Sequence, residues 1–312
     1  PSPTPTPAPP TNPITDDDDD DSPSPVESSN NDPLLFSAWH LINSGQKSFS
    51  ASAGVAGIDL NLGNQQERGI GVTVAISDVG VEWAHPDLQT NFSLALSKNY
   101  FLSEAPWLGD PVPAGDTPSS HGTAVAGIIA AQESNALGSS GVASRANFAA
   151  LRYIGAPYSD SRKVDQANGA YDIFNYSYGT YPCAFRTIRS AYLAQLRYGV
   201  ANLREGKGAI YVKAAGNEFI STIRDCLPSI SDDENFNYLG NSNLESDHSY
   251  PYYILATAIN ASGLSASYSS PGSSLWISAP GGEYGISEPA IITTDLMGCQ
   301  NGYANSESGR ND

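Results

Sequence analysis

The sequence predicts an α/β domain built on a parallel sheet with helices on both faces. Two observations carry this expectation. Short apolar runs recur along the chain: VTVAISD (72–78), FAALRYI (148–154), YDIFNYS (171–177), AIYVKAAGN (209–217), YILATAIN (253–260) and SLWISAP (274–280). Their hydrophobicity is continuous rather than alternating, as strands buried on both faces require. Helix-like stretches lie between them. In residues 187–206, Ile188, Tyr192, Leu196, Val200 and Leu203 return at spacings of three and four, which places them on one helical face. Strand–helix alternation of this kind builds parallel sheets.

Composition narrows the class. The 312 residues are long enough for a sizeable core, and 40% of them are hydrophobic. No apolar run reaches the ~18 residues of a membrane span. A net charge of −18, from 15 basic and 33 acidic residues, repels phosphate backbones and argues against nucleic acid as a partner. Residues 1–30 are low complexity: a Pro/Ser/Thr stretch, an Asp run at 16–21, then SPSPVESSN. Such a segment cannot bury enough apolar surface to fold and is expected to be a disordered linker. Six adjacent carboxylates also lack the turn that would converge them on a cation. One domain is expected over 31–312. The opening PSPTPTPAPP reads as a mature or trimmed terminus. Three cysteines, Cys183, Cys226 and Cys299, show neither CxxC nor zinc spacing, and an odd count in a secreted chain implies one bridge and one unmatched thiol.

Working residues of open α/β sheets collect at the carboxyl ends of strands. Asp78 ends the run at 72–78, where an ionised carboxylate is costly unless something pairs with it. A strand-end Asp that caps its own turn is the simpler reading of that stretch alone. His121 opens SSHGTAVAGIIAAQ, a helix start followed by small residues that allow close approach to a sheet. Taken alone it reads as a satisfied core histidine. Paired with Asp78, one ring nitrogen is held and the other is left to accept a proton. Asn217, in AAGNE, ends another strand, and its amide can donate to an oxygen that becomes negative during acyl transfer. Each feature has an ordinary structural explanation; three at strand ends in this order make coincidence a poor one.

AISDVGVEWAHPDL, SSHGTAVAGIIAA and VKAAGN resemble the Asp, His and oxyanion-Asn boxes of subtilisin-like serine proteases, the peptidase S8 family. NDPLLFSAWHL, YDIFNYSYG and GKGAIYVKAAGN are similar to the kexin and furin branch and its bacterial secreted relatives, and the resemblance runs from about residue 31 to the end. It implies a subtilisin-like sheet in which Asp78 orients His121 as general base and acid while Asn217 stabilises the oxyanion. It also implies that Ser177, Tyr178 and Gly179 pair with an extended peptide or protein substrate. The pattern then breaks. No Gly-Thr-Ser-Ala-like nucleophile box follows Asn217; the last serines, Ser306 and Ser308, follow no Gly-Thr pair and read as a polar loop. The expectation is a fold incomplete at the C-terminus, truncated before its serine and unable to hydrolyse peptides by itself. On that expectation the partner of Cys299 lies in the missing part, leaving Cys183 and Cys226 as a pair.

The resemblance carries further expectations. A structural calcium would be held by Asp32, Asp87 and the loop 132–141, with a side-chain oxygen from Asn135 and carbonyls from Gln132, Leu137 and Ser139; mixed carboxylate and carbonyl oxygens suit calcium rather than zinc. The acidic positions with which kexin-like enzymes select basic residues are replaced here by TYPCAF after the SYG stretch and by Ser270, leaving Asp225 beside Cys226 as the surviving carboxylate. A basic preference at the cleavage site is therefore an expectation without a strict dibasic requirement. Missing C-terminal sequence, an accessory domain and a propeptide or chaperone are the implied partners, and a secreted or cell-surface bacterial setting is implied. The leading reading is a serine endopeptidase domain; the alternative is a non-catalytic peptide-binding pseudoprotease of the same fold. A zinc hydrolase is disfavoured by only four histidines and no HExxH.

Overall fold

The computed structural model describes residues 30–62, 67–113, 120–180, 185, 187–222, 237–298 and 301–303. The expected linker apart from Asn30, which donates to Ser140 Oγ at 3.0 Å, all three cysteines, Asp225, Ser306 and Ser308 lie outside the described residues.

Each apolar run read as a strand contains one. They are β1 (Thr73–Asp78), β3 (Asn147–Arg152), β4 (Ile173–Tyr176), β5 (Ile210–Ala214), β8 (Tyr253–Ile259) and β9 (Ile277–Pro280). With the short β2 (Lys98–Asn99) they form a seven-stranded sheet in the order β2-β3-β1-β4-β5-β8-β9. Every pairing in it is parallel, so all carboxyl ends share one rim. The chain first builds one side of β1 through β2 and β3, then crosses to add β4, β5, β8 and β9 on the other. That reversal beside β1 is the place where open α/β sheets leave a crevice. A separate antiparallel pair, β6 (Ile220–Thr222) with β7 (Asn237–Leu239), lies between β5 and β8 in the chain.

Strand alternation sorts the core into two halves, one on each face. Val74 and Ile76 of β1 join Phe148 and Ala150 of β3 beneath α1 (His121–Ala130), against Ala126 and Ala130. Ala75, Ala149, Leu151, Phe174 and Tyr176 face the opposite way, into the half that holds Tyr192 and Leu196 of α3 (Ser190–Asn202). The short α2 (Asp160–Asp165) packs beside α3. The expected helices on both faces are thus present. Tyrosines dominate the second half: the rings of Tyr176, Tyr211 and Tyr253 meet edge to face or stacked, an arrangement suited to ring quadrupoles, and the Tyr192 hydroxyl bonds to that of Tyr253. No helix among the described residues is long and apolar enough to cross a membrane.

The α3 stripe differs from its expected register. Ile188 precedes the helix, and Val200 is 36% exposed. Gly199 takes the inward place instead, because a Cβ there would lie 1.8 Å from the Tyr211 hydroxyl. The contact is made by a missing side chain, which hydrophobic spacing does not register. Leu196→Ala is expected to cost about 2–5 kcal/mol in urea unfolding of the protein, and Val200→Ala less than about 1 kcal/mol; equal losses would contradict this register.

Candidate active site

Asp78 owes its direction to the same alternation. Val74, Ile76 and Asp78 point to one face of β1, the face on which α1 packs. The carboxylate is fully buried. Its Oδ1 accepts from the Val79 amide at 2.8 Å, and its two oxygens lie 2.9 and 3.0 Å from His121 Nδ1. An ionised carboxylate only accepts, so the imidazole carries its proton on Nδ1 and leaves Nε2 as the available base. The hydrogen bond to Asp78 raises His121 above its ordinary value of 6.5, against the downward pull of burial, and the carboxylate charge adds to the rise.

The glycine after His121 answers a packing need. A Cβ at Gly122 would stand 2.0 Å from the Gly80 carbonyl and 3.1 Å from the Asp78 Cβ. Gly80 itself has φ +115 and would otherwise meet the Pro111 carbonyl at 2.3 Å. Only with both positions bare can the helix start seat against the strand end. Further along α1, Gly127 faces Thr293 and Thr294. Their hydroxyls donate to the Ala124 and Thr123 carbonyls at 2.6 and 2.7 Å, holding the helix from its outer side.

The adjacent ends of β4 and β5 form the walls of a cleft of about 160 Å³. Ser177, Tyr178, Gly179 and Thr180 line one wall; Ala214, Ala215, Gly216, Asn217 and Glu218 line the other. Ser242, Glu245 and His248 complete it. Asn217 is exposed. Ser177 and Gly179 line it, while the Tyr178 ring turns inward, its hydroxyl donating to Gln166 Oε1 at 2.7 Å. Asp225 is not the only carboxylate to weigh, as the sequence implied: the described cleft holds Glu218 and Glu245. Ser270, standing where an acid was expected, donates to Glu218 Oε2 at 3.0 Å, so the acid reaches that place from across the cleft. Glu245 Oε2 accepts from the Thr180 amide and hydroxyl at 3.2 and 2.6 Å. His248, pushed down to about 4 chiefly by burial and then by the charge of Lys213, is neutral there. Thr180, Glu245 and His248 lie in no recognisable box, so spacing gave no signal for them, whereas Glu218 closes AAGNE and Ser270 was marked by position alone.

The residues expected to hold a cation are also brought together. Asp32 accepts from the amides of Ser134, Asn135 and Ala136 at 2.8, 2.9 and 3.2 Å, stapling the loop that follows α1. Asn135 Nδ2 donates to Asp87 Oδ1 at 2.7 Å, and the Gln132 amide donates to the Asp87 carbonyl at 2.9 Å. Leu137 is exposed and Ser139 buried in the same loop. One detail departs from expectation: the Asn135 oxygen accepts from the Leu137 amide at 2.9 Å and its nitrogen faces Asp87, because two nearby carboxylates draw a donor between them. Among the described residues no three carboxylate, histidine or cysteine side chains form a metal cluster.

In Asp78→Asn the His121 ring should titrate lower than in the native protein, followed by NMR. A raised histidine value means that the pair's contribution to stability is complete below 6.5 and fades as pH rises through the folded value. An unchanged titration would sever the two residues energetically.

Residues 69–309 match the subtilase family pattern, peptidase S8. An Aeromonas sobria extracellular serine protease is 39% identical over 285 residues, covering 87% of this chain and 44% of its own. Human neuroendocrine convertase 2, a kexin-like relative, is 33% identical over 204 residues, covering 62% of this chain and 30% of its own. The crystal structure of the A. sobria serine protease with its chaperone superposes with a TM-score of 0.76 at 35% identity, covering 89% of this chain and 47% of that one. The chain therefore spans less than half the length of each of these relatives. Strand order, the Asp78–His121 pair and these likenesses agree, and the chain belongs to the subtilase family of serine peptidases.

Proposed function

We propose that this chain is the catalytic domain of a secreted bacterial serine endopeptidase, with Asp78 orienting His121 as general base and then acid. The single observation that supports it is the Asp78–His121 hydrogen bond, with Nε2 left available at the shared rim. The neighbouring ends of β4 and β5 supply the rest. Asn217 donates to the developing oxyanion, and Ser177–Gly179 offers its backbone to an extended peptide as an added strand. The side chain on the acyl side of the scissile bond enters the cleft, whose carboxylate lining favours a basic residue. The 312 residues contain no Gly-Thr-Ser box, so by themselves they are read as an inactive fragment without the serine that His121 would activate. The extracellular Aeromonas relative supports secretion, and its relation's complex with a chaperone supports a folding partner here too.

The cleft between Ser177–Thr180 and Ala214–Glu218 also supports one second reading, a domain that binds peptides without cutting them. The two separate in the full-length protein. Cleavage of peptides carrying Arg or Lys, reduced about 10⁴-fold or more by His121→Ala, supports the enzyme. Asn217→Ala should cost about 10²–10³-fold in kcat, the range set by removing such a donor from subtilisin. Peptides bound but left intact would sink it.

We further propose a structural calcium at Asp32, Asp87 and the 132–141 loop. Its support is Asp87 Oδ2, buried without a hydrogen-bond partner, a state that calls for a cation. Burial foremost, and the charge of Asp32, push the Asp87 carboxyl up to about 6 although the Asn135 hydrogen bond opposes the rise. Asn135 would turn its oxygen toward the ion, joined by the Gln132, Leu137 and Ser139 carbonyls. Calcium would supply charge neutralisation and loop rigidity. Chelator should lower the Tm of the native protein and leave Asp87→Asn unaffected; equal Tm values with and without chelator in the native protein would remove the site.

A further inference from the structure

Strand β5 carries a lysine where its neighbours are apolar. Lys213 lies in the sheet interior, paired on both sides by β4 and β8, and is 2% exposed. Its Nζ donates to the Tyr178 carbonyl at 2.8 Å, stands 3.6 Å from Glu245 Oε1 and lies 5.2 Å from the Tyr178 ring centroid. An ammonium in such a place needs a partner, because desolvation is not repaid by packing. Glu245 is that partner, and it is one of the two carboxylates of the cleft. The other, Glu218, is bound by Ser270 and has no Lys or Arg within ion-pair distance among the described residues. Behind them Asp247 is balanced by Lys163 at 3.6 Å.

We propose that Lys213 is a specificity-determining residue, a resident cation that cancels Glu245 and leaves Glu218 as the carboxylate that reads the substrate. This rests on the reading of the cleft as the pocket for the residue on the acyl side of the scissile bond. The formal charge facing an incoming side chain is then minus one rather than minus two. The site takes one Arg or Lys by a single carboxylate and tolerates neutral polar side chains, because Glu245 is already occupied by Thr180 and Lys213. Lys213 also ties down Tyr178, in the segment that meets the peptide. It acts through its charge and through that carbonyl, without touching the reacting atoms.

The test reads binding, so it does not depend on turnover. Full-length protein is titrated with p-aminobenzamidine, a cation, and with neutral benzamide. Lys213→Met should bind the cation about tenfold more tightly and Glu245→Gln about tenfold more weakly. The double variant should return to the native value, Lys213→Arg should match it, and Glu218→Gln should bring the cation down toward benzamide. Benzamide should change in none of them, which a merely structural role for Lys213 would not predict. If Lys213→Met does not fold, the Glu245→Gln and double-variant comparison still decides. Cation binding indifferent to Lys213 and Glu245 overturns the proposal. Absence of any binding overturns it together with the pocket reading. The predicted pattern without peptide cleavage keeps it and removes only the enzyme.

Discussion

A carboxylate with no exposed surface, at the end of β1, is the constraint on which the rim depends. Asp78 is fully buried, and an uncompensated charge there would weigh heavily against folding. Compensation comes from His121 and the Val79 amide, and it obliges the first turn of α1 to touch the strand end. That contact in turn forbids side chains at Gly80 and Gly122. A stretch of small residues after the histidine is therefore the counterpart of the buried acid. The residues that make the helix pack closely are the same ones that set the imidazole against its carboxylate.

Helix α1 joins two regions that chemistry would keep apart. Its first residue is His121, and the chain leaving its far end enters the loop that wraps Asp32 and Asp87. The threonines at 293 and 294 close the outer side by bonding to helix carbonyls.

Charge is managed in pairs through the molecule. Asp78 meets His121, Asp247 meets Lys163, Glu245 meets Lys213, and Asp165 accepts from Lys98 and Tyr100. Lys163 also lies 4.4 Å from the Tyr192 ring centroid, so the tyrosine layer shares in holding the cations. Glu218 stands apart from this scheme with a hydroxyl as its partner. In a chain of net charge −18, where acids are common, their value at the cleft depends on which of them a base has neutralised.

The apolar runs, the small residues after His121 and the strand-end position of Asp78 were legible because each follows from local periodicity or from the cost of leaving a polar group at the end of a buried strand; Asn217, expected to end its strand, lies past the end of β5 at Ala214. Sequence by itself therefore determined the sheet, its helices and the Asp–His pair. The Gly199 contact, the inward turn of Tyr178, the orientation of the Asn135 amide and the Lys213–Glu245 pairing were decided only in three dimensions. Glu245 and Lys213 are separated by 32 positions, and nothing in the VKAAGN stretch that holds Lys213 points to Glu245; what joins them is the adjacency of β5 and the loop before β8. Electrostatic energy depends on distance through space and on burial, and neither is written along the chain.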